Sequence, residues 1–152
     1  MIELLNREHP QYRARREMWQ RHQDFYVGGE QLRRNAAMYL VRRQKEPNEV
    51  YQERLSRVFY ENYLGSAVDW YAATLFRKEP AISFRGPSDF YGEFLGDCDL
   101  GGRSLVEFCR RAFIQALVLK ESYALIDFPR VEAQAETRAE EDALGKSRAY
   151  LV

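Results

Sequence analysis

The sequence is short of the residue sets that most chemistry requires. Its two cysteines, Cys98 and Cys109, form no CxxC pair and have no histidine at ligand spacing, so they frame neither a zinc site nor a disulfide scaffold. Both are expected to be reduced core or near-core thiols. There is no Gly-rich phosphate loop, no GxSxG elbow and no HExxH pair, so no catalytic, cofactor-binding or metal-binding residue is assigned, no cofactor is expected and the chain is not read as an enzyme. His22 stands among aromatic residues with no carboxylate and nucleophile spaced to use it, and is expected to be a hydrogen-bonded surface or seam histidine. Asp97 and Asp99 beside Gly101 and Gly102 lack the alternating oxygen ligands and closing glutamate of an EF-hand, so they read as a turn whose aspartates bond their own backbone.

Long apolar runs are missing too. None approaches the ~18 residues of a membrane span, and the Met1–Glu8 stretch carries charges inside its apolar run and is too short for a signal-peptide core. A soluble, intracellular chain without a membrane partner is the expectation. Nor is there a charge excess of one sign: 23 Lys/Arg face 23 Asp/Glu, so the total charge draws the chain to neither nucleic acid nor anionic membrane. The balance hides a gradient, because residues 1–57 hold twelve basic against eight acidic residues, leaving the remainder with the opposite net charge. Clusters at Arg13-Arg15-Arg16, Arg33-Arg34 and Arg42-Arg43-Lys45 read as solvated helix faces, or as one side of a head-to-tail contact between copies.

What is abundant is aromatic residues, with ten Tyr and nine Phe, residue types that fill both cores and interfaces. The fold class expected is α+β, mostly helical, with a long broken helix and further helices packed on a small sheet. Pro10–Tyr26 reads as a helix with an aromatic seam at Tyr12, Trp19 and Tyr26, ended by Gly28-Gly29. Glu30–Glu46 reads as partly helical. The stretch Pro47–Phe84 organises the rest: apolar residues recur at Tyr51, Leu55, Val58 and Phe59, then at Leu64, Val68, Tyr71, Ala72, Leu75 and Phe76, helical spacings that are out of phase with each other. A helix over Glu49–Arg77, burying that face and broken between Tyr60 and Gly65, is expected. Arg77, Lys78 and Pro80 should end it, and Ala81–Phe84 should form a short strand.

Further on, Ser88–Leu95 reads as two helical turns. Leu105–Leu119 reads as a helix capped by Ser104 with Glu107 at its third position, packed on more than one side, with Phe108 buried so that Phe108→Ala costs about 3–5 kcal/mol. Ser122–Phe128 is apolar on both faces and reads as a strand covered on both sides. Val131–Leu144 reads as an exposed helix or a disordered excursion, and Arg148–Val152 as the start of another strand. An apolar run at the chain end is expected of the N-terminal piece of a longer product.

Phe59-Tyr60-x-Asn62, followed after a helical span by Phe76-Arg77-Lys78-x-Pro80, resembles the N-terminal region of portal proteins of tailed bacteriophages. His9-Pro10-x-Tyr12, Asp97-x-Asp99 through Ser104-Leu105, Asp127-Phe128-Pro129, and Ala143-Leu144-Gly145 leading to Tyr150 extend the likeness over nearly the whole chain. The resemblance implies that residues 1–152 are one wing-like region, truncated at its C-terminus, of a virion structural protein. Such a protein forms a homo-oligomeric ring at the capsid vertex through which DNA is packaged and ejected. It implies terminase, capsid and head-tail connector proteins as partners, DNA passing through the ring without touching this region, and a location in the virion and, during assembly, the host bacterial cytoplasm. It also implies structural or interface roles for Trp19, Tyr60, Asn62, Phe76, Arg77, Lys78 and Pro80. The alternative is a cellular helical adaptor or a small nucleic-acid-binding protein using the basic clusters. That reading needs a basic face on one helix, whereas the arginine pairs are dispersed and offset by acids.

Overall fold

A computed structural model describes residues 8–83, 85, 88–128, 136–143 and 149–152. The protein is a mostly helical α+β chain with a two-stranded antiparallel sheet, and it divides into two compact units, Met1–Tyr71 and Ala72–Val152.

The first unit opens with α1, Pro10–Val27. His9 caps it through Nδ1, which accepts from the Gln11 N–H, and Pro10 occupies the first turn, where a missing N–H costs nothing. Gly28 stops it at φ 63° with its N–H on the Asp24 carbonyl, a conformation that side chains other than glycine resist. Two short helices follow, α2 (Gly29–Arg34) and α3 (Ala36–Tyr39), then a loop, then α4 (Asn48–Ser56). After a non-helical stretch comes α5, Tyr63–Leu75, whose residues from Ala72 on belong to the second unit. The single long helix is therefore interrupted, as its out-of-phase apolar series requires, but the break covers residues 57–62 and Gly65 lies inside α5.

The second unit holds α6 (Ser88–Gly96), α7 (Leu105–Leu119), β1 (Ile126–Asp127), α8 (Arg138–Ala143) and β2 (Tyr150–Leu151). Ser104 Oγ accepts the Glu107 N–H and so caps α7 as its sequence demands, while Lys120, left-handed at φ 69°, ends it. The strands pair in the register Ile126 to Leu151 and Asp127 to Tyr150. The Leu151 N–H also donates to the Cys98 carbonyl at 2.7 Å, tying the ribbon to the Asp97–Gly102 turn.

Several expectations are corrected. Ala81–Ser83 is irregular and exposed rather than a strand, since three alternating residues do not make a strand without an edge to pair with; Phe84 lies outside the described residues. Within Ser122–Phe128 only Ile126–Asp127 is strand, and Tyr123, Leu125, Ile126 and Phe128 are exposed rather than covered on both sides. Phe108 is half-buried, and Val118 is the buried residue of α7. Phe59, Leu64, Tyr71 and Leu75 face outward, so the buried stripe of α5 narrows to Gly65, Val68 and Ala72. Cys98 is fully buried, but Cys109 is exposed because its neighbours on α7 bury a different side. Of the Val131–Leu144 stretch, α8 is helical with Ala139, Glu140 and Ala143 exposed, and residues 131–135 lie outside the described residues.

Candidate functional site

The first unit is held at its joints by polar side chains rather than by a large apolar core. Asp24, on the last turn of α1, is fully buried. Its Oδ1 accepts from Gln20 and Gln31, each at 2.8 Å, and its Oδ2 from Asn35 at 2.7 Å and from the Tyr39 hydroxyl. Spacing explains the set: Gln20 is one helical turn back, while Gln31, Asn35 and Tyr39 follow each other at four-residue steps through α2 and α3, presenting one face. Burial pushes the Asp24 carboxyl up, yet the bonds from Tyr39, Gln31, Asn35 and Gln20 together hold it below its ordinary value. Tyr39 answers in the opposite sense. Burial, the bond to Asp24 and the Asp24 charge push its phenol to about 12, against a smaller pull from Arg21. An open hollow of about 470 Å³ lies beside this hub, lined by Gln20, Glu30, Gln31, Arg34 and Asn35.

Glu46 makes a second joint in the loop before α4. Its carboxylate accepts the Arg43 N–H at 3.0 Å and pairs with Arg54 of α4 at 3.0 Å, while its carbonyl takes both Nε and Nη2 of Arg42. Arg54 also reaches the Val41 carbonyl and lies over the Tyr51 ring.

The third joint uses the residues on which the resemblance rests. Asn62 Oδ1 accepts the Gly65 N–H at 2.8 Å, capping α5, and its Nδ2 donates back to the Tyr26 carbonyl at 2.7 Å. The Tyr60 hydroxyl donates to the Phe25 carbonyl, and its ring meets Phe25 edge-on at 5.5 Å. Two motif side chains thus satisfy carbonyls at the end of α1 that a helix leaves unpaired. The approach is close enough that a Cβ on Gly65 would stand 2.6 Å from Asn62 Nδ2 and 2.8 Å from the Tyr26 carbonyl oxygen. Tyr26 closes the joint further by donating to Asp69 of α5 at 2.8 Å.

The other expected site residues have different neighbours within their own units. Trp19 packs on Tyr12 with ring centres 5.3 Å apart. In the second unit Phe76 packs on Phe113 at 5.9 Å, and Arg77, Lys78 and Pro80 are exposed beyond the end of α5. His22 is half-buried, and its Nδ1 is buried without a hydrogen-bond partner. Sequence reasoning missed Asp24, Gln31, Asn35 and Glu46; three polar residues at a four-residue step behind a glycine cap, Gln31, Asn35 and Tyr39, are the signal that could have found the hub.

In the second unit the Asp97–Gly102 turn forms as expected. Asp99 Oδ1 accepts the Gly101 and Arg103 N–H groups and Asp97 Oδ1 accepts that of Gly102; those bonds, with the Arg103 charge, hold the Asp99 carboxyl below its usual value against burial. The turn encloses Cys98, whose thiol is pushed up by burial and by the charge of Asp99, which keeps it protonated and unreactive. Among the described residues no three His, Cys, Asp or Glu side chains are assembled to hold a metal ion, and no helix is long and apolar enough to cross a membrane.

Tyr63, Leu64, Trp70, Tyr71 and Leu75, all on α5, are exposed, and large apolar side chains that gather on one exposed helix mark interaction surfaces. Compared with known proteins, the chain matches no family model. It matches no curated protein either.

Proposed function

We propose that the chain is a structural, non-enzymatic subunit region, the wing-like N-terminal part of a bacteriophage portal protein that assembles with copies of itself at the capsid vertex. The observation that carries this reading is the exposed apolar face of α5, since a chain built to stay alone has no use for two tyrosines, a tryptophan and two leucines facing water on one helix. The residues of the resemblance support it by their work: Tyr60 and Asn62 join helices and offer no reactive group, as expected of an architectural motif. In that ring the exposed Arg77 and Lys78 meet neighbouring subunits, terminase and head-tail connector proteins dock on the assembled vertex, and DNA passes without contacting this region.

The basic clusters give the nucleic-acid alternative little to use. Arg34 pairs with Glu30, Arg42 donates to the Glu46 carbonyl, and Arg13 and Arg16 both reach Glu8. Sedimentation velocity and negative-stain microscopy of the full gene product that carries this sequence, at micromolar concentration, test the reading. A closed ring of one stoichiometry is the expected result; a species that stays monomeric overturns it.

A further inference from the structure

Asp24 is a buried charge whose bonded partners, Gln20, Gln31, Asn35 and Tyr39, are all neutral. Its carboxyl is held below the ordinary value and so stays ionised at neutral pH. Such a charge gains from any cation brought near it. The three amides show where one can approach. A carboxylate only accepts hydrogen bonds, so each amide turns its NH2 inward to Asp24 and its carbonyl oxygen away from it. Those oxygens, Oε1 of Gln20 and Gln31 and Oδ1 of Asn35, accept no hydrogen bond from any described residue and are not sealed from water. Gln20, Gln31 and Asn35 are also three of the five residues lining the hollow of about 470 Å³. Their aligned dipoles carry the negative potential of Asp24 out to that lining.

A lining of this kind selects a cation rich in N–H groups. We infer that the hollow binds a small linear diamine in its doubly protonated form, one ammonium donating to the amide oxygens and the other to the Glu30 carboxylate. A primary ammonium carries three N–H donors and no acceptor, the complement of three carbonyl oxygens backed by an anion. Glu30 lines the same hollow and pairs with Arg34, but the two side chains are 76% and 73% exposed. An exposed pair is weak enough to exchange partners. A bare metal ion is a poorer occupant, because no three His, Cys, Asp or Glu side chains gather among the described residues and the volume far exceeds the ~30 Å³ of a water-sized ion. All the lining residues belong to the first unit, and the site does not rest on the portal reading.

Calorimetric titration of the 152-residue chain with putrescine, a four-carbon diamine, at neutral pH and about 0.1 M salt tests the assignment. Saturable binding at one site with a Kd of about 0.1–1 mM is expected for so small a ligand; no saturation below about 10 mM overturns it. Glu30→Gln should weaken putrescine about fivefold, down to the affinity of butylamine, which has one ammonium. Arg34→Gln should tighten it about threefold by freeing Glu30. Equal affinity in the parent and both variants overturns the proposal. In an amide correlation NMR spectrum the side-chain NH2 signals of Gln20, Gln31 and Asn35 should shift with the same midpoint, and shifts confined to other residues overturn the site. Magnesium matching putrescine at equal concentration would show a loose counter-ion and overturn it as well. Nα-acetyl-lysine amide binding as tightly as putrescine would overturn the free diamine in favour of a partner's lysine side chain. Whether the full gene product forms a ring is read separately, so either reading can fail while the other stands.

Discussion

The two units solve the problem of a small core in opposite ways. In the first unit the largest fully buried side chain is a carboxylate, Asp24, surrounded by four neutral donors; in the second it is a thiol, Cys98, enclosed by a turn. Apolar burial adds only Leu32, Ala36 and Val68 to the first and Ala72 and Val118 to the second, among the described residues. The comparison teaches that directional bonds at helix joints can fix short helices for which apolar area alone would be too little. Such bonds are worth little while satisfied and cost much when half-broken.

Removing the carboxylate should therefore have the largest effect. Asp24→Ala leaves four donors around a hole and should lower stability by about 3–5 kcal/mol, each stranded donor costing part of that, read as a shift of the urea midpoint at neutral pH. An unchanged midpoint would place the hub outside the cooperative fold. Acid should reach the same bonds more gradually. The folded carboxyl lies below an aspartate's ordinary value of 3.8, so its contribution is fully present above that value and is lost as pH falls through the lower folded one. A urea titration below pH 4 should show a loss in the parent that Asp24→Ala lacks.

Gly65→Ala sharpens the contrast because two rules give it opposite signs. Helix propensity alone favours alanine inside α5 by about 1 kcal/mol. The added Cβ, however, would meet the Tyr26 carbonyl oxygen and the Asn62 amide, and should destabilise by about 1–3 kcal/mol. A stabilised variant would show that the joint yields. In the second unit, Phe108→Ala should cost only about 1–2 kcal/mol, since the ring is half-buried and little cavity forms. A thermal melt giving a loss as large as that of Asp24→Ala would erase the distinction between the units.

Helices with strong punctuation were legible in the sequence. The Pro10 start and Gly28 stop of α1, the Ser104 cap of α7, the interruption before α5 and the Asp97–Gly102 turn are all local events, decided by residues within a few positions. The direction in which an apolar residue faces is not local. Periodicity identified α5 but assigned its wider apolar arc to the interior, where only Gly65, Val68 and Ala72 are found. Ser122–Phe128 failed for the same reason: apolarity on both faces says that a segment seeks cover, not that its own chain supplies it. Asp24 was invisible because a buried acid looks like any surface acid until its donors, up to fifteen residues away, are folded onto it.

The Asp24 hub also sets a chemical clock. Hydrolysis of side-chain amides is a common slow covalent change in proteins, and here three amides, from Gln20, Gln31 and Asn35, point their N–H groups at one carboxylate. Converting Asn35 to an aspartate would replace a donor 2.7 Å from Asp24 Oδ2 with a second negative charge in a buried site, and two carboxylates so placed cannot both stay ionised. A change of one dalton would then lower the stability of the folded state, and an aged preparation would unfold at less urea than a fresh one.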